Sequence, residues 1–194
     1  IPSPTPRVTI PFRPQMSFLA ALEPRPDNRR VIAFRESIGS IWGLKPDPRR
    51  LGAQTTSESA WLERDLSNFA DWYRAKGQED PDAAAALRND LQRAVAGFEL
   101  LRLEPISREV KDLLVRFAFG GKHHELGWAK LSDGQRLLIA LYGTFHFALK
   151  RARLVALDEI ENYVAPSEIQ PWLQLVCDAH TAPKTQRLLD SHHP

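Results

Sequence analysis

Apolar positions along the chain switch between two periods. Val31, Phe34, Ile38 and Ile41 are spaced by three and four residues, which places them on one helical face, with Pro26-Asp27-Asn28 ahead of them as a cap. Gly43 and the Pro46-Asp47-Pro48 cluster end that helix, and 49–59 read as a polar loop. From Ala60 to Val95 the helical period returns. Trp61, Leu62, Leu66, Phe69, Trp72 and Tyr73 follow one helix, and Pro81-Asp82 starts a second through Ala85, Leu87, Leu91 and Val95. The period then shortens: Phe98–Leu103 and Lys111–Phe119 are apolar strand segments, and Gly120-Gly121 offers a hairpin turn into His123–Trp128.

The last third alternates. Leu137, Leu138, Leu141, Tyr142, Phe145 and Leu149 form a broad helix face, Leu154–Leu157 a buried strand, Glu168–Ala179 a helix and Thr185–Leu189 another strand. Strand, helix, strand is a crossover unit that favours a parallel sheet, so the fold class is α/β with a helical and β-hairpin insertion. Such sheets bind ligands at the carboxyl ends of their strands, where Asp158, Glu159 and His192 fall. Prolines at 2, 4, 6, 11 and 14 leave the first stretch room for little beyond a short edge strand around Val8–Ile10.

Composition narrows the class. A chain of 194 residues with 43% hydrophobic and 26% charged residues is long enough for one good core. A net charge of +2 is too mild to imply nucleic-acid binding and does not exclude it. The first fifty residues hold nine basic against four acidic side chains. That excess reads as a solvated helix face, with contact to DNA or RNA phosphates as the alternative. The aromatic stripe from Trp61 to Tyr73 reads as core, with a base-stacking platform as its alternative. The single cysteine, Cys177, fits a reducing cytoplasm and reads as a buried small hydrophobe. No run approaches the ~20 apolar residues of a membrane span, so no membrane partner is expected.

Two segments carry chemistry. Ser132-Asp133-Gly134-Gln135 opens a long apolar helix, whose free N–H groups and dipole suit a phosphate. Asp158-Glu159 closes a buried strand, where paired carboxylates can hold Mg²⁺ and polarise water. Each has a plainer reading: Ser132 as a helix N-cap, the acids as a solvated strand end. Gly134 favours the phosphate, because a cap alone needs no glycine in the first turn.

Here the chain resembles the ABC-type ATPases. Leu131–Gln135 looks like their signature loop, Leu154–Glu159 like their Walker B strand and Ser191-His192-His193-Pro194 like their switch-histidine loop, all in the family's order. Within them it is similar to the RecF/SMC-like group of predicted AAA-type ATPases, whose Walker B usually reads Asp-Glu-Pro-Glu-Asn. This chain reads Asp158-Glu159-Ile160-Glu161-Asn162 and continues Tyr163-Val164-Ala165-Pro166. Asp65-Leu66-Ser67-Asn68-Phe69 resembles an Asp-Gly-Ser-Asn-Leu segment of that group, with Leu66 in place of Gly.

The resemblance implies ATP and Mg²⁺ as cofactors. Asp158 would hold the metal, Glu159 would orient or deprotonate the attacking water, and His192 would contact the γ-phosphate. Ser132, Gly134 and Gln135 would meet the ATP of a second copy, giving a head-to-tail homodimer. His192 as a surface histidine, or with His193 as a metal ligand, are the alternatives. Glu161 and Asn162 read as turn residues.

No P-loop is present. Gly120-Gly121-Lys122 comes nearest, but His123 follows the lysine and Arg116 stands where the first glycine belongs. The expectation is the C-terminal part of a P-loop NTPase of the ABC type. It would comprise a connecting segment (1–56), a helical insertion and β-unit (57–128), and the signature helix, Walker B strand and switch strand (129–194). Its tasks would be DNA repair, phage defence or control of an effector protein. The rivals are a non-hydrolysing module for nucleotide-gated dimerisation or interaction, and a nucleic-acid-binding domain.

Overall fold

The computed structural model describes residues 17–160, 162–179 and 186–190. The expected strand at 8–10, Glu161 and His192 lie outside them. The chain forms two compact units, 1–41 and 42–194. In the first, α1 (Phe18–Ala21) precedes α2 (Arg29–Gly39). Asn28 stands at the start of α2 but does not cap it with its side chain. Its amide instead closes the preceding turn, accepting from Arg25 N–H at 2.8 Å and donating to the Glu23 carbonyl at 2.9 Å. The helix ends at Gly39, earlier than its apolar spacing suggests, and Ile41 opens a strand. Ile32 is its buried residue, whereas Val31, Phe34 and Ile38 are exposed.

The second unit contains two sheets. β1 (Ile41–Leu44), β6 (Leu154–Asp158) and β7 (Gln186–Asp190) form one, with β6 in the middle and parallel to β7. α6 (Pro166–Ala179) makes the crossover between those parallel strands, so the expected α/β class with parallel strands is present. The other sheet is antiparallel. Its centre is β4 (Lys111–Phe119), which pairs with β3 (Phe98–Pro105), with β5 (Lys122–Gly127) and, at its start, with the two-residue β2 (Gln54–Thr55). Gly120 and Gly121 both take positive φ, 57° and 74°, as a two-residue hairpin turn between β4 and β5 requires. Leu113, Val115 and Phe117 of β4 are buried while their neighbours are not, the period-two signature of a one-sided sheet.

Two expectations from apolar spacing change. The loop after Pro48 contains a 3-10 turn (Pro48–Arg50) and β2, which Thr55 fastens by donating its hydroxyl to Asp71 at 2.6 Å. The helix expected from Trp61 begins only at Phe69, as α3 (Phe69–Glu79). Before it the backbone winds round Asn68, whose side chain accepts from Glu63 N–H at 2.9 Å and donates to the Trp61 carbonyl at 2.8 Å. Leu66 has φ 63° in this turn, the glycine-favouring region, at the position where the resembling segment carries Gly. Its side chain is nevertheless fully buried, and Trp61 is exposed.

α4 (Pro81–Ala94) starts as expected, with Asp80 accepting from Ala83 N–H at 2.9 Å. α5 (Asp133–Phe147) is buried continuously from Leu137 to Phe145. The aromatic residues pack as core: Phe69 stacks on Trp128 at 5.8 Å and on Tyr73 at 5.9 Å, and Trp72 meets Phe147 edge-on at 5.7 Å. In α6 the buried stripe is Ile169, Trp172 and Val176. Cys177 is one step beyond that stripe and is exposed, contrary to its reading as a buried hydrophobe. Among the described residues no helix is long and apolar enough to cross a membrane.

A polar contact joins α4 and α5. His146 Nε2 lies 2.8 Å from Asp90 Oδ2 with only 6% of the histidine side chain exposed. Burial holds the imidazole below its ordinary value of 6.5, outweighing the upward pull of Asp90, while Lys150 and Arg93 add to the depression. A depressed folded-state value means that the unfolded chain takes up the proton first as pH falls. The contribution is therefore present above 6.5 and is lost as pH drops through the folded value. Urea denaturation is expected to give a lower midpoint at about pH 5.5 than at about pH 7.5. His146→Gln should narrow that difference; an unchanged difference would remove His146 as its source.

Candidate functional site

β6 ends on Asp158, in register with Asp190 of the parallel β7. A strand would send the next side chain to the opposite face. Glu159 instead has φ 55°, and its N–H donates to the Asp190 carbonyl at 3.2 Å. That turn swings its carboxylate beside that of Asp158, so that a single ammonium touches both: Lys45 Nζ is 3.1 Å from Asp158 Oδ2 and 3.1 Å from Glu159 Oε2. Arg64 adds a contact to Asp158 at 3.3 Å.

The position of the two cations follows from the backbone. Lys45 is the residue after β1, which neighbours β6 in the sheet. Its N–H donates to the Arg64 carbonyl at 2.9 Å, and Asp47 N–H donates to the Asp65 carbonyl at 3.1 Å. This short ladder carries the 64–65 turn to the end of β6. Arg50 pairs with Asp65, and Lys45, Arg50, Glu63, Arg64, Asp65 and Ser67 line a cavity of about 590 Å³. The Glu159 and Asp158 carboxylates raise the Lys45 ammonium above its ordinary value of 10.5. Partial burial pushes Asp65 upward, but hydrogen bonds from Ser67 and the charge of Arg50 leave it below its ordinary value.

Lys45 and Arg64 were not legible as site residues. Neither belongs to a motif, and 94 residues separate Arg64 from Asp158.

The lysine ammonium stands where a cation would. Two carboxylates, about a quarter and a third exposed, converge on one positive charge. Among the described residues no cluster of three or more His, Cys, Asp or Glu could enclose a metal. A two-carboxylate site open to water and phosphate oxygens suits Mg²⁺, which keeps much of its hydration, better than a closed protein cage.

The loop before α5 has a different environment. Ser132 Oγ accepts from Gln135 N–H at 3.2 Å, and Gln135 Oε1 accepts from Ser132 N–H at 3.1 Å: a complete capping box. Arg136 pairs with Asp133 across the first turn. A Cβ on Gly134 would come within 2.7 Å of the Tyr163 carbonyl oxygen, so the chain's own packing demands glycine there. The Tyr163 ring lies under the Arg49 guanidinium at 5.6 Å. Ser132, Gly134 and Gln135 border a cavity of about 580 Å³ that also includes Phe119, Tyr163 and Glu168. Neither Asp158 nor Glu159 lines it. The acid pair therefore does not share the cavity beside the Ser132 loop, its two cations Lys45 and Arg64 line a different one, and His192 lies outside the described residues.

No protein-family profile and no curated protein sequence matches the chain. Among solved structures, it overlaps an SMC head bound to the C-terminal winged-helix domain of ScpA, at 17% identity and TM-score 0.45, over 60% of this chain and 36% of that one. A second is an SMC head domain with an extended coiled coil bound to the C-terminal domain of ScpA from Pyrococcus furiosus, at 14% identity and TM-score 0.41, over 66% and 34%. A third, the SMC head domain with coiled coil and joint from Pyrococcus yayanosii, gives 15% identity and TM-score 0.43 over 84% and 28%. The chain spans about a third of the length of these proteins. Overlap at this level carries no functional weight, and the site is read from its own residues.

Gly134→Ala is expected to cost about 1–3 kcal/mol of folding stability by forcing Tyr163 away from α5. Thermal melting of the variant measures it. An unshifted melt would mean that the Tyr163 segment moves freely.

Proposed function

We propose that this chain is the C-terminal part of an ABC-type ATPase that closes as a homodimer around Mg-ATP. The observation that carries the reading is the pair of carboxylates at the end of a parallel strand, both satisfied by one ammonium. In it, Asp158 holds Mg²⁺, and Glu159 orients the attacking water and accepts its proton. The bound metal would neutralise the charge that develops on the transferred phosphoryl group. Ser132, Gly134 and Gln135 serve the opposite copy. The cavity they border is lined by neither acid, which supports that division, since each composite site would combine one chain's acids with the other chain's helix N-terminus. His192 takes the γ-phosphate contact. DNA and effector partners remain proposals of the same reading.

A second reading is favoured by the Ser132 loop. Its capping box and the Tyr163 contact account for Ser132, Gly134 and Gln135 without any ligand. On that reading the chain is a non-hydrolysing interaction module.

Since the chain lacks a P-loop lysine and its amide nest, calorimetric titration of the 194-residue chain with Mg-ATP should show weak binding and no turnover. Submicromolar affinity would mean that the nucleotide sits elsewhere. In a complete protein carrying a P-loop, Glu159→Gln is expected to keep nucleotide binding and lose most turnover, about 10²-fold or more, because the amide cannot accept the proton. Asp158→Asn should instead weaken Mg²⁺-dependent binding. Wild-type turnover in Glu159→Gln would overturn the assignment.

The two readings separate at Ser132. Ser132→Arg should abolish the ATP-dependent dimer and hydrolysis while leaving monomer binding intact. Mixing it with Glu159→Gln should restore part of the activity, because one composite site then carries neither defect. A Ser132→Arg protein that loses only the ~1 kcal/mol of a helix cap and turns over normally would remove the interfacial role of Ser132, whereas a complete protein that dimerises with no turnover at all would leave the non-hydrolysing reading.

A further inference from the structure

The acid pair carries its own counter-ions, which a metal reaching it must displace. Lys45 Nζ spans both carboxylates, Arg64 reaches Asp158, and the backbone bond between Lys45 N–H and the Arg64 carbonyl keeps the two cations side by side. Both side chains are about half exposed or more, so they can swing away without unpacking the core. The direction they can take is set by the cavity they line. There they join Arg50, which is paired with Asp65 rather than with the strand-end acids, and the Ser67 residue whose N–H already holds Asp65. Three cations against two acids, Glu63 and Asp65, leave that cavity with an excess of positive charge.

We propose that Lys45 and Arg64 are exchangeable counter-ions: a divalent cation displaces them from Asp158 and Glu159, and the released ammonium and guanidinium then hold a phosphate-type oxyanion in the adjoining cavity together with Arg50. This rests on the reading of Asp158 and Glu159 as the cation-holding pair. Either ion alone meets a penalty. The metal entering alone leaves two cations unpaired beside a double positive charge, and the anion entering alone draws Lys45 away from two carboxylates that then repel each other. Entering together, each ion replaces the partner that the other removes, so the two bind with positive coupling, and the coupling is reciprocal. Lys45 and Arg64 thereby supply, from the loop after β1, phosphate contacts in a chain without a P-loop lysine.

The test uses the 194-residue chain with Mn²⁺ and inorganic phosphate as probes, reading free Mn²⁺ by electron paramagnetic resonance. Millimolar phosphate is expected to tighten Mn²⁺ binding to the wild-type chain about threefold, the factor an exposed ion pair is worth. Lys45→Ala should bind Mn²⁺ about threefold tighter without phosphate and gain less than wild type on its addition, since only Arg64 then remains to be exchanged. Lys45→Gln, which keeps the length of the stem, should behave in the same way. Arg50→Ala should leave phosphate-free Mn²⁺ affinity unchanged and reduce the phosphate effect, which a general change of net charge would not do. The proposal is overturned if Lys45→Ala and Lys45→Gln bind Mn²⁺ no tighter than wild type, or if Arg50→Ala tightens it as much as they do. Asp158→Asn separates the two failures. Where wild type binds Mn²⁺, Asp158→Asn does not, and Lys45→Ala is no tighter, the exchange fails and the cation site stands; where wild type binds none, both fall.

Discussion

The complete burial of α5 is the constraint on which the rest depends. A helix that is apolar on every side cannot lie on a surface, and from Leu137 to Phe145 every residue of α5 is buried. The molecule answers with elements packed around it: α4, α6, and the aromatic group of Phe69, Trp72 and Trp128, which Phe147 of α5 itself meets through Trp72. Even its glycine participates, since a Cβ on Gly143 would come within 3.0 Å of the Phe69 ring. The Tyr163 segment packs against Gly134 in the first turn of α5. β6 ends at Asp158, five residues before Tyr163. The 3-10 turn that carries Arg50 also packs on α5, so residues of both candidate cavities rest on one helix.

Polar contacts finish what burial begins. Thr55 and Asp71 fasten a two-residue strand that would be marginal alone, and Asn68 replaces a turn of helix with a loop. Arg116 and Glu125 face each other across β4 and β5, with Arg102 joining the same carboxylate. These pairs are exposed to varying degrees and add little individually. Their value lies in fixing the register of β4 against β3 and β5.

Long, strongly periodic segments were legible. The two-glycine hairpin, the start of α4 at Pro81, the length of α5 and the parallel crossover through α6 all follow from apolar spacing and turn residues. What spacing hid was where a helix does not begin. Trp61, Leu62 and Leu66 keep helical period with Phe69, but Asn68 offers the backbone a better set of hydrogen bonds and Leu66 takes a left-handed conformation. The exposed faces of α2 and Cys177 were misread for a related reason: periodicity reports that a face is apolar, not what covers it. At the strand end the motif pointed to Asp158 and Glu159, and no motif pointed to the Lys45 and Arg64 that the fold places against them. Ion pairs between residues far apart in sequence leave no local pattern, and only the fold brings them together.

The backbone at Glu159 sets two demands that pull a sequence in opposite directions. A φ of 55° favours glycine, asparagine or aspartate and disfavours a long side chain. Reaching the Lys45 ammonium beside Asp158 asks for a carboxylate on a stem long enough to curl back. A library randomised at this position and selected for thermal tolerance alone would drift toward glycine or asparagine. One selected for retention of positive charge at the strand end would keep an acid there and accept the strain. The residue present is the one that conformational ease alone would not choose.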